Sequence, residues 1–423
     1  MSRAKSVVVV GGGVVGLSIA WYVRQRGHSV TVVDRGPADR ANCSRINAGM
    51  IVPSHIVPLA APGMIELGLR MLPNPESPFS IRPRPSPDLV RWGLLFMRNA
   101  NTGHVERSAP LLRDLNLESR RCYEEFADRF GNTFDLVKKG LLMLFRSEQA
   151  LREEARIAER ARTLGIPADV LTAEATAKLD PAVRMDIVGS VHFPQDCHFS
   201  PQRFLERLTG ELLGAGVTLH ADTEVTGWRV EGGRVTAART RTDDLPGDEF
   251  VLAGGAWSPE TVRELGIRLP MQAGKGYSLT LDRPPQQPTI CSILTEARVA
   301  ITPMGSSLRV GGTMEITGND LSVNERRVEG IRKSVPLYFP EFKADDLRSA
   351  PVRSGLRPCS PDGLPYVGRF ARFENLSVAT GHAMMGMSLG PITGKLIAEL
   401  LSDETPSVRV EALSPDRFGG HRR

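Results

Sequence analysis

The segment from Val7 to Asp34, VVVVGGGVVGLSIAWYVRQRGHSVTVVD, decides how the rest of the chain folds. Its β-branched run Val7–Val10 predicts a buried strand of a parallel sheet. The residues Gly11–Gly16 follow directly and match the pattern G-x-G-x-x-G. Leu17–Arg26 then predicts a helix, and Ser29–Val33 predicts a second strand. This order of strand, glycine turn, helix and strand is typical of a βαβ unit that binds a dinucleotide.

Each glycine of the motif has its own physical reason. Gly11 permits the tight turn, Gly13 lets the backbone approach a pyrophosphate, and Gly16 lets the helix pack closely on the sheet. The N–H groups at the helix start then favour a bound diphosphate. Asp34, at the end of the second strand, is where a carboxylate accepts hydrogen bonds from ribose hydroxyls. The motif therefore predicts an adenine dinucleotide and leaves open whether it is FAD or NAD(P).

The composition is that of a soluble globular protein of two or three domains. The chain has 423 residues, of which 41% are hydrophobic and 24% are charged, as is usual for such proteins. The formal net charge is +5, and the basic residues are scattered along the sequence. A scattered excess of this size predicts a normally solvated surface and no nucleic-acid partner. It leaves a weak affinity for anionic membrane surfaces open.

The cysteines and the apolar N-terminus indicate a cytoplasmic protein. The five cysteines are far apart and form no C-x-x-C pair, so they predict neither a disulfide framework nor a zinc or other metal site. The apolar stretch Ser6–Val23 resembles a signal peptide or a membrane span, but the strand and glycine turn explain it better. Peripheral attachment at the inner face of the cytoplasmic membrane is the alternative left open.

The remainder of the chain alternates between connecting segments and further glycine loops. Residues 53–90 are rich in proline and predict an irregular surface connection, whereas 111–130 and 147–164 predict charged helices. Residues 268–350 contain short alternating strands that predict an antiparallel sheet. Near the C-terminus, the glycine-rich stretch Gly381–Pro391 precedes a helix predicted from Ile392. This second loop at a helix start is another device that stabilises negative charge.

Taken together, the motifs resemble the D-amino-acid oxidase/dehydrogenase superfamily of FAD enzymes. The chain is most similar to bacterial D-amino-acid dehydrogenases and to related flavoproteins that oxidise glycine, sarcosine and hydroxyproline. The motifs that carry the resemblance are GGGVVG with Asp34, SRINAG at 44–49, AGGAWS at 253–258, GKGYSLT at 274–280, GLRPCSPDGLPYVG at 355–368 and GHAMMGMSLGP at 381–391. They follow the family's order from one end of the chain to the other, and they indicate FAD.

The resemblance implies an α/β fold with a discontinuous Rossmann-like FAD-binding domain and a substrate domain built on a large antiparallel sheet. The implied FAD-binding parts are residues 1–90, 195–265 and 352–423. The implied substrate-domain parts are residues 91–194 and 266–351. Loops at 53–60, 291–300 and 335–340 are expected to shape the pocket that selects the substrate side chain.

The resemblance also assigns residues to the cofactor. The implied FAD-binding residues are Gly11, Gly13, Val14, Val15, Gly16, Asp34, Arg35, Ser44, Asn47, Ala48, Gly49, Val225, Gly254, Gly386, Met387 and Ser388. The backbone N–H groups of 386–388 would face the pyrimidine edge of the flavin. Cys359 does not lie at the spacing of the cysteine that carries FAD in some family members, so we expect FAD to be bound non-covalently.

Four residues are candidates for the chemistry. The resemblance makes Arg357 the clamp for the substrate carboxylate, since a guanidinium forms two parallel hydrogen bonds with such a group. Tyr277 and Tyr338 are candidates for a further hydrogen bond to it, with a buried core position as the alternative for each. His382 is a candidate base, and its alternative is a structural neighbour of the flavin.

The implied activity is oxidative deamination of a D-amino acid, including D-proline or hydroxy-D-proline as cyclic substrates. A hydride passes from Cα to the flavin, an imino acid results, and the electrons pass to a quinone or another acceptor. The first alternative is an oxygen-using oxidase of glycine, sarcosine or a related small amine. A flavin-dependent RNA-modifying protein and a subunit of a larger complex are further alternatives, the former without support from any basic stripe.

Overall fold

The computed structural model describes residues 3–37, 39–71 and 74–419. In this part of the chain the α-helices are α1 Val14–Gln25, α2 Met64–Met71, α3 Pro87–Asn99, α4 Thr102–Phe130, α5 Glu148–Thr163, α6 Ala173–Leu179, α7 Pro201–Gly214, α8 Ser258–Thr261, α9 Glu325–Tyr338 and α10 Gly386–Leu401. The strands are β1 Ser6–Val10, β2 Ser29–Val33, β3 Met50–Ile51, β4 Phe79–Ile81, β5 Leu141–Phe145, β6 Asp169–Thr172, β7 Gly189–Phe193, β8 Cys197–His198, β9 Thr218–His220, β10 Gly227–Glu231, β11 Arg234–Arg239, β12 Asp244–Pro246, β13 Glu249–Leu252, β14 Gln272–Asp282, β15 Cys291–Leu294, β16 Val299–Met304, β17 Ser307–Ile316, β18 Val352–Cys359, β19 Tyr366–Phe370 and β20 Phe373–Thr380.

The N-terminal motif forms the centre of a six-stranded sheet with the order β19-β20-β13-β1-β2-β9. Strand β1 pairs in parallel with β2 on one side and with β13 on the other. Its valines are buried because a central parallel strand is covered on both faces. The predicted strands at Val7–Val10 and Ser29–Val33 are confirmed. The predicted helix at Leu17–Arg26 is confirmed in kind, but it begins earlier, at Val14.

Helices α1 and α10 pack against each other on this sheet at unusually short range. A Cβ atom added to Gly394 would lie 2.5 Å from the backbone carbon of Ser18, and one added to Gly390 would lie 2.9 Å from the Val14 side chain. Helix α4 covers the same region, since its Tyr123 and Phe126 belong to the core cluster that contains Ile19. This contact joins the two ends of the chain.

The second large sheet has the order β18-β14-β17-β16-β15-β5-β7-β6, and β4 pairs with β17 in addition. Most of its pairs are antiparallel, although β15 pairs with β5 and β17 with β4 in parallel. Helix α9 packs on one face and contributes Val328, Ile331 and Val335 to the core beneath it. The antiparallel sheet predicted for 268–350 is thus confirmed and is larger than that segment.

The proline-rich segment 53–90 is more regular than predicted. It contains α2 and β4, and α3 begins within it at Pro87. Proline is tolerated in the first helical turn, where its missing N–H group has no partner in any case. The Ser86 side chain caps α3 by accepting a hydrogen bond from the Leu89 N–H group. Helix α10 likewise begins at Gly386, well before the predicted Ile392.

The proposed division into domains stays a prediction, but strand pairing argues for two changes. Strand β18 was assigned to the third FAD-binding part, yet it pairs with β14 along its whole length. Strand β4 was assigned to the first FAD-binding part, yet it pairs with β17. We propose that both strands belong to the substrate domain, because their hydrogen bonds are to its sheet.

The apolar stretch at the N-terminus forms β1 and most of α1. No helix in the described ranges has both the length and the apolar character needed to cross a membrane.

The close contact between α1 and α10 predicts the effect of Gly394→Ala. The added methyl group would clash with the backbone of α1, so we expect stability to fall by about 1–3 kcal/mol, the usual cost of overpacking. Gly210→Ala is the matched control, since Gly210 also lies inside a helix but a Cβ atom there would meet nothing. We expect that control to raise stability by up to about 1 kcal/mol. Thermal unfolding of both variants tests this, and equal effects would contradict it.

Candidate active site

The predicted pyrophosphate loop is a turn that only glycine fits. Gly11 has φ of +122°, and a Cβ atom there would lie 2.3 Å from the Ala253 carbonyl oxygen. A Cβ atom on Gly16 would lie 1.8 Å from the Gly11 carbonyl oxygen. The turn is therefore pressed between β13 and α1. It brings Gly254 beside Gly11, since that same added atom on Gly11 would lie 3.1 Å from the Gly254 nitrogen.

The start of α1 presents N–H groups away from the helix. Its first intrahelical hydrogen bond runs from the Leu17 N–H group to the Gly13 carbonyl oxygen, at 2.9 Å. The N–H groups of Val15 and Gly16 precede that bond, so the helix itself gives them no acceptor. Ser44 lies at the same place, and its hydroxyl accepts a hydrogen bond from the Val14 N–H group at 3.0 Å. The predicted residues of this group are thus brought together.

Asp34 closes the turn from the other side. Its carboxylate accepts hydrogen bonds from the N–H groups of Gly12 at 2.7 Å and Gly36 at 2.9 Å, and it pairs with Arg40 at 2.9 Å. Arg40 also donates to the second oxygen of this carboxylate, at 3.3 Å. The contact of Asp34 with a ribose hydroxyl stays a prediction. The neighbouring Arg35 lies over the Trp257 ring, 4.0 Å from its centre.

The segment with Asn47, Ala48 and Gly49 runs along the wall of a cavity that Asn47 and Ala48 line. The Asn47 side chain accepts a hydrogen bond from the Gly49 N–H group at 2.9 Å. Arg309 of β17, which sequence reasoning missed, donates to the carbonyl oxygens of Asn47 and Arg45, both at 2.9 Å. Arg309 thereby fastens this segment to the large sheet. The feature of the sequence that could have revealed Arg309 is a cationic residue at an inward-facing position of a buried strand.

The start of α10 lies against the same wall. The Ser388 hydroxyl donates to Asn116 at 2.7 Å and accepts from the Val52 N–H group at 3.1 Å. The Met387 carbonyl oxygen accepts from Tyr123 at 2.6 Å. As in any helix, the first N–H groups after Gly386 have no intrahelical acceptor and carry partial positive charge.

Val225 is the predicted cofactor residue with the least specific surroundings. It is partly buried and packs against the core cluster around β13. The nearby Thr223 donates its N–H group to the Asp34 carbonyl oxygen at 2.8 Å. Val225 therefore lies close to the end of β2, and its contact with adenine stays a prediction.

A cavity of about 720 Å³ lies between the two sheets. Predicted loops 53–60 and 291–300 contribute to its wall, whereas 335–340 do not. Much of the rest comes from α2 and α3, which the prediction did not place there. The apolar side chains from these two helices are Met64, Ile65, Leu67, Leu69, Met71, Trp92, Phe96 and Met97, and β4 adds Phe79. A mainly apolar wall with a few charged groups is typical of a small-molecule site.

Arg357 is a cation of this wall that no carboxylate pairs with in the described part of the chain. Its Nη1 donates to the Thr313 carbonyl oxygen at 2.7 Å. The guanidinium lies flat on Gly276, where an added Cβ atom would come within 2.2 Å of Nη1. Only a glycine therefore permits this position. The remaining N–H donors are free to bind an anion in the cavity.

A bulge in β17 aims the Thr313 carbonyl oxygen at Arg357. Strand β14 pairs Lys275 with Glu315 and then Tyr277 with Gly312, so two steps on β14 face three on β17. The extra backbone length lies at Thr313, which has φ of +70°. Positive φ is a genuine outlier for a β-branched residue, and such strain concentrates at functional sites. The bulge is thus a local distortion that orients the arginine.

The Tyr277 hydroxyl is engaged elsewhere. It donates to the buried carboxylate of Glu315 and accepts from the Asn324 N–H group at 3.1 Å. Burial and this carboxylate raise the pKa of the phenol. Although Tyr277 forms part of the cavity wall, its ring belongs to the core on the α9 side of the sheet. The buried alternative describes it better than a substrate ligand does.

Unlike Tyr277, Tyr338 and His382 do not line the cavity. The Tyr338 hydroxyl donates to Glu296, and its ring lies in the core beneath α9. His382 is 2% exposed, and its Nε2 is 2.9 Å from the Thr393 hydroxyl. Burial lowers the pKa of His382 to about 3, so the ring stays neutral in the physiological range. The structural alternative fits both residues, and Arg357 alone of the four candidates offers a functional group to the cavity.

Sequence reasoning placed the loops 53–60 and 291–300 at the pocket but assigned no role to their polar residues, and it did not place Glu154 or Asp196 there. Ser54 and His55 lie on the wall, and Asp196 lies directly behind Ser54. Glu154 of α5 and Arg298, which has φ of +52°, also line it. Burial raises the pKa of Glu154 to about 7, and Arg298 partly opposes that shift. No local motif marks these residues, since they come from distant parts of the chain.

The residues present fit an FAD molecule. The glycine turn leaves no room for side chains, the starts of α1 and α10 both offer N–H groups, and an apolar cavity of about 720 Å³ lies beside the start of α10 and the segment with Asn47 and Ala48. Cys359 is fully buried. Non-covalent binding of FAD stays a prediction.

Comparison with known proteins agrees with these features. The family model for FAD dependent oxidoreductases (DAO) matches residues 6–400. A D-amino acid dehydrogenase of Cereibacter sphaeroides is 34% identical over 426 residues, covering 99% of this chain and 96% of that protein. A D-amino acid dehydrogenase of Granulibacter bethesdensis is 30% identical over 419 residues, covering 98% of this chain and 100% of that protein.

The fold is also that of solved structures. The crystal structure of glycine oxidase from Geobacillus kaustophilus matches with a TM-score of 0.76 and 23% identity, covering 98% of this chain and 99% of that one. The resemblance seen in the sequence motifs and the predicted α/β fold are therefore confirmed. The chain belongs to the DAO family of FAD-dependent oxidoreductases.

Proposed function

We propose that this protein oxidises D-amino acids to imino acids. The observation that carries the proposal is Arg357, which lies in an apolar cavity and has no carboxylate partner among the described residues. Arg357 is partly withdrawn from solvent. Withdrawing a cation from water is costly unless a ligand pairs with it, and the carboxylate of an amino acid is such a ligand. The relatives named D-amino acid dehydrogenase, which match over nearly their whole length, support the same substrate class.

In this reaction the residues of the chain bind the substrate and orient it. Arg357 holds the substrate carboxylate by parallel hydrogen bonds, and the Thr313 carbonyl oxygen fixes the guanidinium. FAD supplies the electron sink that accepts a hydride from Cα. The partial positive charge at the helix start Gly386–Ser388 stabilises negative charge on a group bound beside it. The apolar wall excludes water and strengthens these interactions.

The finer identity of the substrate and acceptor belongs to the same proposal. The wall from α2 and α3 favours an apolar substrate, and D-proline and hydroxy-D-proline are small enough for such a cavity. Electrons then pass to a quinone or another acceptor, which makes the protein a dehydrogenase.

We also propose peripheral contact with the cytoplasmic membrane. Trp92 and Phe96 of α3 line the cavity, and the other face of the helix exposes Val90 by 61% and Leu94 by 59%. Met97 is 51% exposed and lies where this face meets the cavity wall. Arg98 on this helix is exposed as well. Apolar residues flanked by a cation suit an anionic lipid surface.

Replacement of Arg357 tests the clamp. We expect Arg357→Ala to raise KM for the D-amino acid by about a hundredfold or more, because two charge-assisted hydrogen bonds are lost. Arg357→Lys keeps the positive charge but loses the two parallel N–H donors of the guanidinium. We expect its KM to lie between those of the wild type and Arg357→Ala. Arg241→Ala, on the exposed surface, is the control. FAD content is measured in each variant. Normal KM in Arg357→Ala with FAD bound would reject the assignment.

A screen of D-amino acids tests the reaction itself. Under anaerobic conditions we expect a D-amino acid to bleach the flavin absorbance, whereas its L-enantiomer does not. In air, we expect a soluble quinone analogue or a redox dye to be reduced much faster than hydrogen peroxide forms. Rapid peroxide formation from glycine or sarcosine would instead identify an oxidase of small amines.

Sedimentation with lipid vesicles tests the membrane contact. We expect anionic vesicles to retain the protein and Leu94→Glu to weaken that retention about tenfold, since the charge must enter the lipid surface. Leu213→Glu changes an equally exposed leucine on α7 and serves as the control. Equal retention of both variants would contradict the proposed surface.

A further inference from the structure

A chain of three hydrogen-bonded side chains leads from the cavity into the protein. The Ser54 hydroxyl donates to Asp196 Oδ2 at 2.5 Å, and the Ser54 N–H group donates to Asp196 Oδ1 at 3.0 Å. The same hydroxyl is 3.1 Å from Nδ1 of His55. Ser54 and His55 line the cavity that contains Arg357, whereas Asp196 is 1% exposed behind them.

The single hydroxyl hydrogen of Ser54 couples the two titratable groups. When Asp196 is ionised, that hydrogen points to the carboxylate, so Nδ1 of His55 must be the donor toward Ser54. Nε2 of His55 then has a free lone pair. When Asp196 is protonated, each hydrogen in the chain points the other way, and Nε2 carries the ring hydrogen. One proton can thus pass from Nε2 to Asp196 while the imidazole remains neutral at both ends.

Burial favours a proton on Asp196 over a second proton on His55. Burial raises the pKa of Asp196 to about 7, although hydrogen bonds from Ser54 and the charge of Arg120 oppose the shift. Burial lowers the pKa of His55 to about 4. The other titratable groups that face Asp196 are the thiols of Cys197 and Cys291, and burial raises the pKa of both. The pKa of the Asp196 carboxyl is therefore higher than that of the His55 imidazole, the reverse of the usual order.

We propose that His55, Ser54 and Asp196 form a proton relay that accepts a proton from the amino group of the substrate. This role rests on the proposed oxidation of a D-amino acid. An amino acid reaches the site as an ammonium ion, whose nitrogen has no lone pair with which to form a C=N bond. The N–H bond breaks and its proton moves to Nε2 of His55. The ring passes its Nδ1 hydrogen to Ser54, and Ser54 passes its own to Asp196.

The proton balance of the step is complete. The substrate loses one proton and becomes a neutral amine, and Asp196 gains one proton. The freed nitrogen lone pair forms the C=N bond as the Cα–H bond breaks, and the hydrogen would leave with its electron pair as a hydride for FAD, the oxidant of the proposed function. Asp196 returns its proton to solvent between turnovers. A base with a pKa close to the working pH is the most effective.

Glu154 is the rival base, because it also lines the cavity and its pKa is also raised to about 7. It has no hydrogen-bonded partner through which to pass a proton in the described part of the chain. Ile157, one turn away on α5, is 36% exposed, so Glu154 lies toward the open side of the cavity. Of the two candidate bases, only His55 has hydrogen-bonded partners, Ser54 and Asp196, that can carry the proton away from the cavity.

Nitrogen NMR of the histidine rings tests the relay without any turnover. In the FAD-loaded protein, we expect His55 to stay neutral down to about pH 5 and to change tautomer with a midpoint near pH 7. The spectrum of His55→Gln assigns the signal. In Asp196→Asn the amide donates to Ser54, so we expect the hydrogen to stay on Nε2 at every pH. A ring that protonates near pH 6.5 or keeps one tautomer would overturn the relay.

The pH dependence of anaerobic flavin reduction gives an independent readout. We expect the wild-type rate to rise through pH 7, and Asp196→Asn and Ser54→Ala to be about a hundredfold slower there. Both variants should recover at pH values where the amino group is already deprotonated. Asp186→Asn, a surface control, should keep the wild-type profile.

The rival base gives the decisive comparison. We expect Glu154→Gln to retain the rise through pH 7, and its loss in that variant alone would overturn the relay in favour of Glu154. If no D-amino acid bleaches the flavin, the proposed function fails, and the tautomer measurement then decides on the relay by itself. If bleaching is normal but the tautomer does not change, the function stands and the relay fails.

Discussion

The site depends on the close packing of α1 against α10. The backbone of α1 at Ser18 occupies the space that a side chain on Gly394 would need. This contact brings the start of the first helix and the start of the last helix to one face of the six-stranded sheet. Each start offers unpaired N–H groups and partial positive charge. An extended cofactor with a diphosphate at its centre and, at one end, a ring system that becomes anionic on reduction matches that arrangement.

The large sheet supplies what the six-stranded sheet lacks, a fixed charge opposite the helix starts. The bulge in β17 turns the Thr313 carbonyl oxygen toward Arg357, and Gly276 leaves room for the guanidinium. Arg309 on the same strand binds the segment around Asn47. The sheet therefore positions both Arg357 and the segment opposite it through hydrogen bonds from arginine side chains to main-chain carbonyl oxygens.

The sequence predicted the parts of the site that depend on local geometry. The turn at Gly11–Gly16 and the position of Asp34 follow from short-range sterics and were recognisable as such. Tyr277 could not be placed, because the face on which a strand residue lies depends on register, and a bulge follows Lys275. The contact between Ser54 and Asp196 joins residues 142 positions apart. Only the packing of β7, β8 and the segment after β3 creates it.

Burial gives the cavity its two chemical properties at once. The apolar wall from α2 and α3 lowers the local dielectric, which strengthens an Arg357–carboxylate pair. The same burial disfavours charge on His55 and on Asp196, so their pKa values are shifted in opposite directions. Burial thus determines both the strength of the Arg357–carboxylate pair and the neutral state of His55 and Asp196. A more open cavity would weaken the hold on a carboxylate and restore the ordinary order of carboxyl and imidazole together.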